Sequence, residues 1–414
     1  MQYGLIGKRL GHSFSKEVHA LLADYQYELL ELPDEVAVGA FLAKGDFRAI
    51  NVTIPYKQTV IPYLSEISPE AHAIGAVNTV VNRDGKLFGY NTDFFGMTQA
   101  LARMGFSRLD GKRALVLGTG GTALTSHAVL RALGAAEVCS VSRTPQGGAI
   151  SYEEALTKHA DADLLFNTTP VGMFPNGDGC PIVLSAFSRL ACVFDAVYNP
   201  LLTRLVLAAR ERGVPADTGL YMLVAQAFRA VELFLDVSLD PSLLEATYLK
   251  ILRAKQNVVL IGMPSSGKTT VGRALAEKTG RPFIDLDDEI VKMTGKDIPT
   301  VFREGGEAAF RDIESEAVRL ASVGTGAVIA TGGGAVLRTE NVTRLKQNGI
   351  LCFLDRPLAD LTPTADRPTA SDRAALAARY QERRPVYLAA KDYTFPVGED
   401  FDEVADQIRK ELSL

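Results

Sequence analysis

Short runs of strand-forming residues alternate with helical patterns along almost the whole chain. The pattern opens with QYGLIG, a helical stretch from Ser15 to Asp24, YELLEL, a second helix after Asp34, and AINVTI. Because parallel strands need crossover helices between them, this alternation predicts an α/β fold with mostly parallel sheets. One stretch, GAVNTVVNRDGKLFGYN, instead predicts an antiparallel ribbon, since the Asp84-Gly85 dipeptide suits a tight hairpin turn.

The pattern restarts twice, and this divides the chain into successive folding units. One restart is at Lys112, with RALVLG following, and the other is at Asn257, with NVVLIGM. A length of 414 residues agrees with two or three such units. The predicted domains are 1–253, made of a substrate lobe (1–105 plus 220–253) and a nucleotide-binding lobe (106–219), and 257–414.

The distribution of charged and apolar residues limits which classes of molecule the protein is expected to bind. Lysine and arginine total 44 against 49 aspartate and glutamate residues, and the net charge of −5 argues against a broad nucleic-acid surface. The N-terminus lacks the pattern of a secretory signal, and the sequence contains no run of about 18 apolar residues that could span a bilayer. We therefore expect a cytoplasmic protein. The four cysteines are spaced irregularly, which indicates buried thiols rather than a disulfide framework or a zinc site. Self-association is compatible with the sequence but not indicated by it.

A glycine-rich turn follows the strand RALVLG. Gly118, Gly120 and Ala123 form a GxGxxA arrangement between this strand and a helical pattern. Such a turn lets a dinucleotide pyrophosphate approach the backbone and the helix N-terminus, although a plain structural turn can have the same residues. The next strand ends in SRT at 142–144, where an acidic residue would otherwise hold a ribose hydroxyl. The Arg143 guanidinium suits a 2′-phosphate and favours NADP over NAD, the alternative being a solvated surface arginine.

Polar residues collect at the predicted strand ends and loops of the first lobe. Lys57 lies in NVTIPYK, soon after Pro55, a favoured first helical residue. Asp93 lies at the start of another helix, which it could equally cap. They are accompanied by hydroxyl and amide side chains of the kind that a small polyhydroxylated substrate would need. These side chains belong to Ser13, Ser15, Asn51, Thr53 and Asn78.

Ten motifs follow one another along the first part of the chain: GLIG, HSFS, NVTIPYK, GAVNT, NTD, the GxGxxA turn, SRT, NTTPVGM, DAVYNP and GLYMLVAQA. In order and spacing these motifs resemble the shikimate dehydrogenase family over essentially residues 1 to 250. The resemblance implies a two-lobed α/β fold with a Rossmann-like NADP lobe, and Lys57 and Asp93 as the catalytic pair for NADPH-dependent reduction of 3-dehydroshikimate. The implied substrate-binding residues are Ser13, Ser15, Thr53, Asn78, Asp93, Tyr198 and Gln226. The implied cofactor-binding residues are Gly118, Thr119, Gly120, Gly121, Thr122, Ser142, Arg143, Thr144 and Gly219.

The chemistry of hydride transfer agrees with these implied roles. A hydride that reaches a ketone carbon leaves negative charge on the oxygen, which an adjacent ammonium stabilises and can protonate. Lys57 is the better electrostatic candidate, whereas Asp93 can orient a hydroxyl and share the proton transfer, and the sequence does not assign the proton to either. The cofactor loop after Arg143 reads TPQGG, without the second basic residue usual in the family, so the preference for NADP could be less strict.

The third run of the chain opens with a phosphate-binding motif. GMPSSGKT fits GxxxxGK[ST], and it places Gly262, Gly267, Lys268 and Thr269 between the strand VVLIG and a helical pattern. Backbone N–H groups of such a loop cradle phosphates, the lysine reaches the β and γ oxygens, and the hydroxyl binds Mg²⁺. The sequence therefore predicts ATP binding in residues 257–414.

Three further segments could bind the phosphoryl acceptor. IDLDDEI places Asp285 and Asp287 after a second apolar run, where the two carboxylates could divide between a metal-bound water and substrate hydroxyls. Arg311 and Glu314 are three residues apart on one helix face, a spacing that a plain surface pair would also have. The three glycines at 332–334 permit close approach of a ligand to the backbone, or form only a tight turn.

With DRP at 366–368 and RRPVY at 383–387, these segments resemble the shikimate kinase family over residues 257–414. The resemblance implies a P-loop NTPase-type α/β kinase domain, with Asp287 as the group that accepts the hydroxyl proton. The implied shikimate-binding residues are Asp287, Arg311, Gly333 and Arg383, where Arg383 is preferred to Arg384 on the R-x-P-x-Y spacing. The implied nucleotide-binding residues are Ser265, Gly267, Lys268, Thr269 and the lid residue Arg367, and Asp285 would join Thr269 at Mg²⁺.

The two resemblances name consecutive steps on one metabolite, which predicts a bifunctional enzyme of aromatic amino acid biosynthesis. One alternative is a regulator built from degenerate copies of both enzymes, but it predicts loss of Lys57, Asp93, Lys268 or Asp287, and all four are present. Another alternative keeps catalysis and changes the substrates, for example to quinate in the first half. We expect small-molecule partners, namely 3-dehydroshikimate and shikimate, and the cofactors NADP(H), ATP and Mg²⁺.

Overall fold

The computed structural model of the protein describes residues 1–11, 13–362 and 373–414. These residues group into two compact units, Met1–Ile251 and Leu252–Leu414. Within the described part of the chain, no helix combines the length and apolar character that crossing a membrane requires. The four cysteines are free; two of them are buried, but Cys180 is exposed, so the prediction of buried thiols is wrong at that position.

The first unit contains a six-stranded mixed sheet with strand order 2-1-3-5-6-4. Its strands are β1 (Tyr3–Gly7), β2 (Tyr27–Glu31), β3 (Ala49–Val52), β4 (Glu66–Ile67), β5 (Thr79–Arg83) and β6 (Lys86–Tyr90). β1 is parallel to β2 and β3, whereas β5 is antiparallel to β3 and to β6. The β5–β6 ribbon turns at Asp84 and Gly85, with φ of 52° and 84°, which confirms the predicted hairpin.

A second, five-stranded sheet in this unit is wholly parallel, with strand order 11-10-9-7-8. Its strands are β7 (Arg113–Leu117), β8 (Glu137–Val141), β9 (Leu164–Asn167), β10 (Cys192–Asp195) and β11 (Ala216–Thr218). Every residue of β9 and β10 is buried, as expected for central strands covered on both faces. The glycine-rich turn leaves this sheet at the end of β7.

Nine helices are assigned to the described part of the chain up to residue 255. They are α1 (Ser15–Leu22), α2 (Glu35–Lys44), α3 (Pro69–Ile74), α4 (Thr92–Arg103), α5 (Gly121–Ala132), α6 (Tyr152–Lys158), α7 (Arg204–Glu211), α8 (Leu220–Leu235) and α9 (Ser242–Lys255). The cap of α4 is Asn91, whose side chain accepts a hydrogen bond from Phe94 N. Asp93 is therefore inside the first turn, and the alternative that it caps this helix is wrong. The division between the two units falls inside α9.

The second unit has one parallel sheet with strand order 13-14-12-15-16. Its strands are β12 (Asn257–Ile261), β13 (Phe283–Asp285), β14 (Val328–Ala330), β15 (Gly349–Asp355) and β16 (Tyr393–Pro396). Its helices are α10 (Lys268–Thr279), α11 (Leu286–Thr294), α12 (Ile298–Val323), α13 (Thr339–Asn348), α14 (Arg373–Ala390) and α15 (Phe401–Glu411). Alternate residues of β12 enter separate apolar clusters, Val259 and Ile261 in one and Val258 and Leu260 in the other, so the sheet is buried on both faces.

Candidate active sites

The first unit brings its predicted site residues to one edge of the mixed sheet. β1, β3 and β6 end at this edge, and β5 begins there because it runs in the opposite direction. Ser13 follows β1, Thr53 follows β3, Asn78 precedes β5 and Asp93 follows β6. Residues separated by up to eighty positions in the chain are thus gathered by strand topology.

Lys57 and Asp93 form a short ion pair at this edge. Lys57 Nζ is 2.6 Å from Asp93 Oδ2, and the two side chains are only 13% and 8% exposed. Lys57 lies in a series of turns after the cis Ile54–Pro55 peptide, so the prediction that Pro55 begins a helix is wrong. The Lys57 carbonyl accepts a hydrogen bond from Val77 N, which fixes the lysine next to the GAVNT segment. The site therefore presents an ammonium and a carboxylate side by side with little solvent between them.

The predicted amide groups form one buried hydrogen-bond network beside this pair. Asn78 Oδ1 accepts a 2.7 Å hydrogen bond from Thr92 N, and Asn78 Nδ2 donates to Gln226 Oε1 at 3.4 Å. The network continues to Asn51, which donates to the Asn78 carbonyl and accepts from Tyr27 OH. Thr92 and Tyr27 were missed by the sequence reasoning, because only the folded sheet places them against Asn78 and Asn51.

Ser13, Ser15 and Tyr198, three further predicted substrate-binding residues, lie close together. Ser13 Oγ donates to Ser15 Oγ at 3.0 Å. The ring of Tyr198 is 5.3 Å from the ring of Phe14, which lies between the two serines. Burial raises the pKa of Tyr198, and its hydrogen bond with Ser13 partly opposes that rise. Tyr198, which follows β10, thus contacts the loop that contains Ser13 and Ser15, called the serine loop below.

The glycine-rich turn has the open backbone that a pyrophosphate requires. Gly118 has φ of 114°, and a Cβ on it would lie 2.7 Å from Thr168 Oγ1, so a side chain is excluded there. Gly120 is the N-cap of α5, makes no side-chain cap hydrogen bond, and has no atom within 4 Å of the position that a Cβ would take. Free N–H groups at a helix N-terminus with open space in front of them suit a phosphate group. Thr119 is exposed and Thr122 half-buried at the same turn.

Two other segments lie at the ends of strands in the second sheet. After β8, Ser142 Oγ accepts from Thr144 N at 3.2 Å, and Arg143 and Thr144 are exposed. Among the described residues no carboxylate forms an ion pair with Arg143; burial raises the pKa of Tyr152, and the charge of Arg143 opposes this rise. Gly219 is the N-cap of α8, and a Cβ on it would collide with the Ala196 carbonyl oxygen.

The phosphate-binding loop of the second unit lies between β12 and α10. Gly262, Ser265 and Gly267 have φ of 151°, 64° and 92°, which turns successive backbone N–H groups around the loop. Lys268 Nζ donates to the carbonyls of Gly262 and Met263 at 3.0 and 2.7 Å. Ser265 Oγ donates to the Thr362 carbonyl at 3.0 Å. This loop geometry, with no side-chain cap on α10, is suited to binding phosphates.

Thr269 and Asp285, the two residues predicted to bind a metal, are hydrogen-bonded to each other next to this loop. Thr269 Oγ1 donates to Asp285 Oδ2 at 2.7 Å, and Asp285 Oδ1 accepts from Asp287 N at 3.0 Å as the cap of α11. A hydroxyl and one carboxylate are the few protein ligands that Mg²⁺ uses when phosphates and water supply the rest. The donor set therefore fits a magnesium ion.

The predicted acceptor residues meet around the three glycines that follow β14. Arg311 Nη1 is 2.7 Å from Glu314 Oε2, and the side chains are 12% and 2% exposed, so the alternative of a plain surface pair is wrong. Burial raises the pKa of Glu314, and Arg311 opposes that rise. A Cβ on Gly332 would lie 2.7 Å from Glu314 Oε1 and 3.2 Å from Asp287 Oδ1. The absence of a side chain on Gly332 thus keeps room for both carboxylates.

The other arginine of the predicted acceptor site contacts the next glycine. Arg383 Nη1 donates to the Gly333 carbonyl at 3.2 Å, and Tyr387 OH donates to the same oxygen. Burial raises the pKa of Tyr387 to about 12. Arg384 instead pairs with Asp355, with Nη2 2.7 Å from Oδ2. Tyr387 and Glu314 were not predicted as site residues, although the R-x-P-x-Y and Arg-x-x-Glu spacings contain them. Arg367 lies outside the described residues.

Comparison with known proteins assigns both units. The family model for the shikimate dehydrogenase substrate binding domain matches residues 5–80. The chain is 35% identical over 254 residues to shikimate dehydrogenase (NADP(+)) of Bacillus cereus, covering 56% of this chain and 91% of the relative. The chain belongs to the shikimate dehydrogenase family. The Clostridium perfringens enzyme of the same description is 36% identical over 264 residues, covering 59% of this chain and 96% of its own.

Solved structures agree with the dehydrogenase fold. Shikimate 5-dehydrogenase of Thermus thermophilus in complex with NADP(H) and shikimate has 34% identity and a TM-score of 0.54, covering 60% of this chain and 99% of its own. A chorismate mutase/shikimate 5-dehydrogenase fusion protein from Clostridium acetobutylicum has 34% identity and a TM-score of 0.56, covering 60% of this chain and 96% of its own.

The second unit is assigned by the shikimate kinase family model, which matches residues 264–413. The chain is therefore a shikimate dehydrogenase joined to a shikimate kinase domain, and both predicted resemblances are confirmed. Its fold is α/β throughout, as predicted. It is a bifunctional shikimate-pathway enzyme with oxidoreductase and phosphotransferase activities.

Proposed function

We propose that the first unit reduces 3-dehydroshikimate to shikimate with NADPH, and that the second phosphorylates shikimate on its 3-hydroxyl with ATP. The observation that carries this proposal is that the families matched by the two units share one compound, shikimate. It is the product expected of the first reaction and the acceptor expected of the second. Two consecutive reactions would then be encoded at a fixed one-to-one ratio.

In the first reaction, the buried Lys57–Asp93 pair is the proposed catalytic group. NADPH, when bound, supplies the hydride. Lys57 Nζ, held 2.6 Å from Asp93 Oδ2, stabilises the negative charge that develops on the carbonyl oxygen, and the pair holds the proton that this oxygen takes up. Because both side chains are nearly excluded from water, this charge stabilisation is worth more than it would be in bulk solvent.

The substrate would be held by the polar residues at the same sheet edge. The fixed amides of Asn78 and Gln226 can each bind a ring hydroxyl, and the serine loop with Tyr198 can bind the carboxylate. The full proposed set is Ser13, Ser15, Thr53, Asn78, Asp93, Tyr198 and Gln226. A site built to bind hydroxyls rejects an analogue that lacks one, since each unpaired buried polar group costs about 1–3 kcal/mol.

We propose that the dinucleotide is NADP, because two features at the ends of strands in the second sheet suit it. The open turn at Gly118–Thr122 fits a pyrophosphate, and the guanidinium of Arg143, which forms no ion pair among the residues that the structure describes, suits a 2′-phosphate. The shikimate dehydrogenase (NADP(+)) relatives support this choice. The remaining proposed contacts are Thr119, Ser142, Thr144 and Gly219.

In the second reaction, ATP supplies the phosphoryl group when it is bound with Mg²⁺. The loop from Ser265 to Thr269 would hold the phosphates, and Asp285 with Thr269 would hold the metal. Asp287, which is close to Gly332, would accept the proton of the attacking hydroxyl. Arg311 and Arg383 would bind the carboxylate of shikimate near the Gly333 backbone. Most of the rate acceleration would come from positioning and charge stabilisation, as in other phosphoryl transfers.

One assay tests both steps in the intact chain. The purified protein is mixed with 3-dehydroshikimate, NADPH and ATP-Mg²⁺, and shikimate and shikimate 3-phosphate are quantified. We expect shikimate 3-phosphate as the final product. Lys57→Ala should stop consumption of NADPH but still phosphorylate added shikimate, and Lys268→Ala should accumulate shikimate.

Other outcomes would contradict the proposal. Ligand binding without turnover would indicate a regulator, and faster turnover of quinate than of shikimate would change the proposed substrate. Loss of both activities in each single variant would show that the two sites are not the independent ones described above.

A further inference from the structure

Two arginines on one face of α14 have buried donors without partners. Arg379 and Arg383 are four residues apart, so their side chains are neighbours on the helix surface. Among the described residues, Arg379 Nη1 and Arg383 Nε are buried and have no hydrogen-bond acceptor. Arg383 is only 6% exposed. Since buried donors in folded proteins are almost always paired, this pair of orphan N–H groups indicates that a ligand supplies the missing acceptor.

Two of the charged side chains around Arg379 are arginines, which favours an anionic ligand. Arg383 and Arg311 face it with like charge, and Glu307 and Glu382 face it with opposite charge. Burial first, and then the charge of Arg383, lower the pKa of Arg379. Glu307 is already hydrogen-bonded to Arg311 at 3.3 Å, and neither glutamate forms an ion pair with Arg379 in the described part of the chain. An added negative group would relieve the repulsion between the neighbouring arginines.

The two arginines predicted for the acceptor site use only part of their donors within the protein. Arg311 uses Nη1 for Glu314 and Nη2 for Glu307. Arg383 uses Nη1 for the Gly333 carbonyl. Each guanidinium has five N–H donors, so both arginines keep donors for a carboxylate, and one of these is the buried Nε of Arg383, one helical turn from Arg379.

We infer that Arg379 is a further acceptor-binding residue of the kinase unit, which donates Nη1 to the carboxylate of the acceptor beside Arg383. This inference rests on the proposed kinase function. It assigns a role to a residue that neither the P-loop nor the R-x-P-x-Y motif contains. Arg379 would set specificity for an acidic acceptor over a neutral polyol of the same ring size.

The test uses the full chain with Arg379→Ala and Arg379→Lys, and Lys410→Ala as a control that removes one exposed cation from the same unit. Kinase KM and kcat are measured with shikimate and with its methyl ester, and dehydrogenase activity checks the rest of the chain. We expect Arg379→Ala to raise KM for shikimate at least tenfold, with KM for ATP and the dehydrogenase rate unchanged. Arg379→Lys should lie in between, because it keeps the charge and loses the planar fork.

The methyl ester distinguishes contact with the carboxylate from a structural effect. If Arg379 binds that group, the preference of the enzyme for shikimate over the ester should shrink at least tenfold in Arg379→Ala. An equal loss with both acceptors, or an unchanged KM for shikimate, would overturn the inference. If Arg379→Ala does not fold, the preference for shikimate over the ester is measured in Arg379→Lys instead and judged in the same way. Failure of the unmodified chain to phosphorylate shikimate would instead reject the proposed function itself.

Discussion

The side-chain stem of Lys57 packs against Gly121, the first residue of α5. A Cβ on Gly121 would lie 3.3 Å from Lys57 Cδ and 3.5 Å from Lys57 Cβ. The proposed catalytic lysine follows a strand of the mixed sheet, whereas Gly121 belongs to the glycine-rich turn of the parallel sheet. Within the first unit the stem of Lys57 therefore lies beside the first residue of α5, and a methyl group between them would be crowded.

Gly121→Ala should displace Lys57 without weakening the fold. Gly121 is the first residue of α5 and is not in the left-handed region, so alanine fits its backbone conformation and we expect no loss of thermal stability. The added methyl group would press on the lysine stem, and misplacement of a catalytic group by about 1 Å can cost a hundredfold in rate. We expect kcat of the dehydrogenase to fall by about tenfold or more. Kinase activity in the same sample is the control, and an unchanged dehydrogenase kcat would contradict the contact.

Arg143→Ala should weaken NADP and leave NAD unaffected. A charge-assisted hydrogen bond contributes about 1.5–3 kcal/mol, so the KM for NADP should rise about tenfold or more. The measurement is the ratio of kcat/KM for the two dinucleotides in shikimate oxidation. Because Arg143 is exposed, stability should not change and a melting curve serves as the control. A ratio equal to that of the unmodified chain would remove the proposed 2′-phosphate contact.

Glu314→Gln should damage the kinase through Arg311. The glutamine keeps the shape of the side chain but leaves the largely buried guanidinium of Arg311 without its closest counter-charge. We expect the kinase unit to lose about 1–3 kcal/mol of unfolding free energy and the KM for shikimate to rise. Denaturant unfolding and kinase kinetics measure the two effects. Glu316→Gln, which removes an exposed partner of Arg319 on the same helix, is the matched control and should change neither.

Asp195 should make the first unit less stable as pH rises. Burial raises its pKa to about 7, against 3.8 as the ordinary value. The folded state therefore holds a proton that the unfolded state releases between these pH values, so the free energy of unfolding should fall as pH rises through this window. Asp195→Asn cannot ionise, and its stability relative to the unmodified chain should increase from pH 5 to about 7.5. A constant difference across that range would show that Asp195 is already ionised at pH 5.

The sequence predicted the features that depend on neighbouring residues in the chain. The Asp84-Gly85 turn and the loop from Gly262 to Thr269 formed as expected, because backbone conformation at these positions is set by local residue type. Pro55 and Glu314 were interpreted wrongly for the opposite reason. Pro55 lies in a series of turns and begins no helix, and Glu314 is buried beside Gly332, which follows a strand distant in the sequence. Such effects come from tertiary partners, which spacing alone does not identify.

The position of α9 limits how the two activities can be separated. Three carbonyls at its C-terminal end accept hydrogen bonds within the second unit. Those of Arg253 and of Gln256, the residue after α9, accept from Arg281, and that of Lys255 accepts from Gly326 N. A truncated kinase that starts at Asn257 would lose all three acceptors. One that starts before Leu252 would keep part of α9 without the first unit, to which that part of the helix belongs. Knock-out of one active site by point substitution is consequently the sounder way to obtain each enzyme alone.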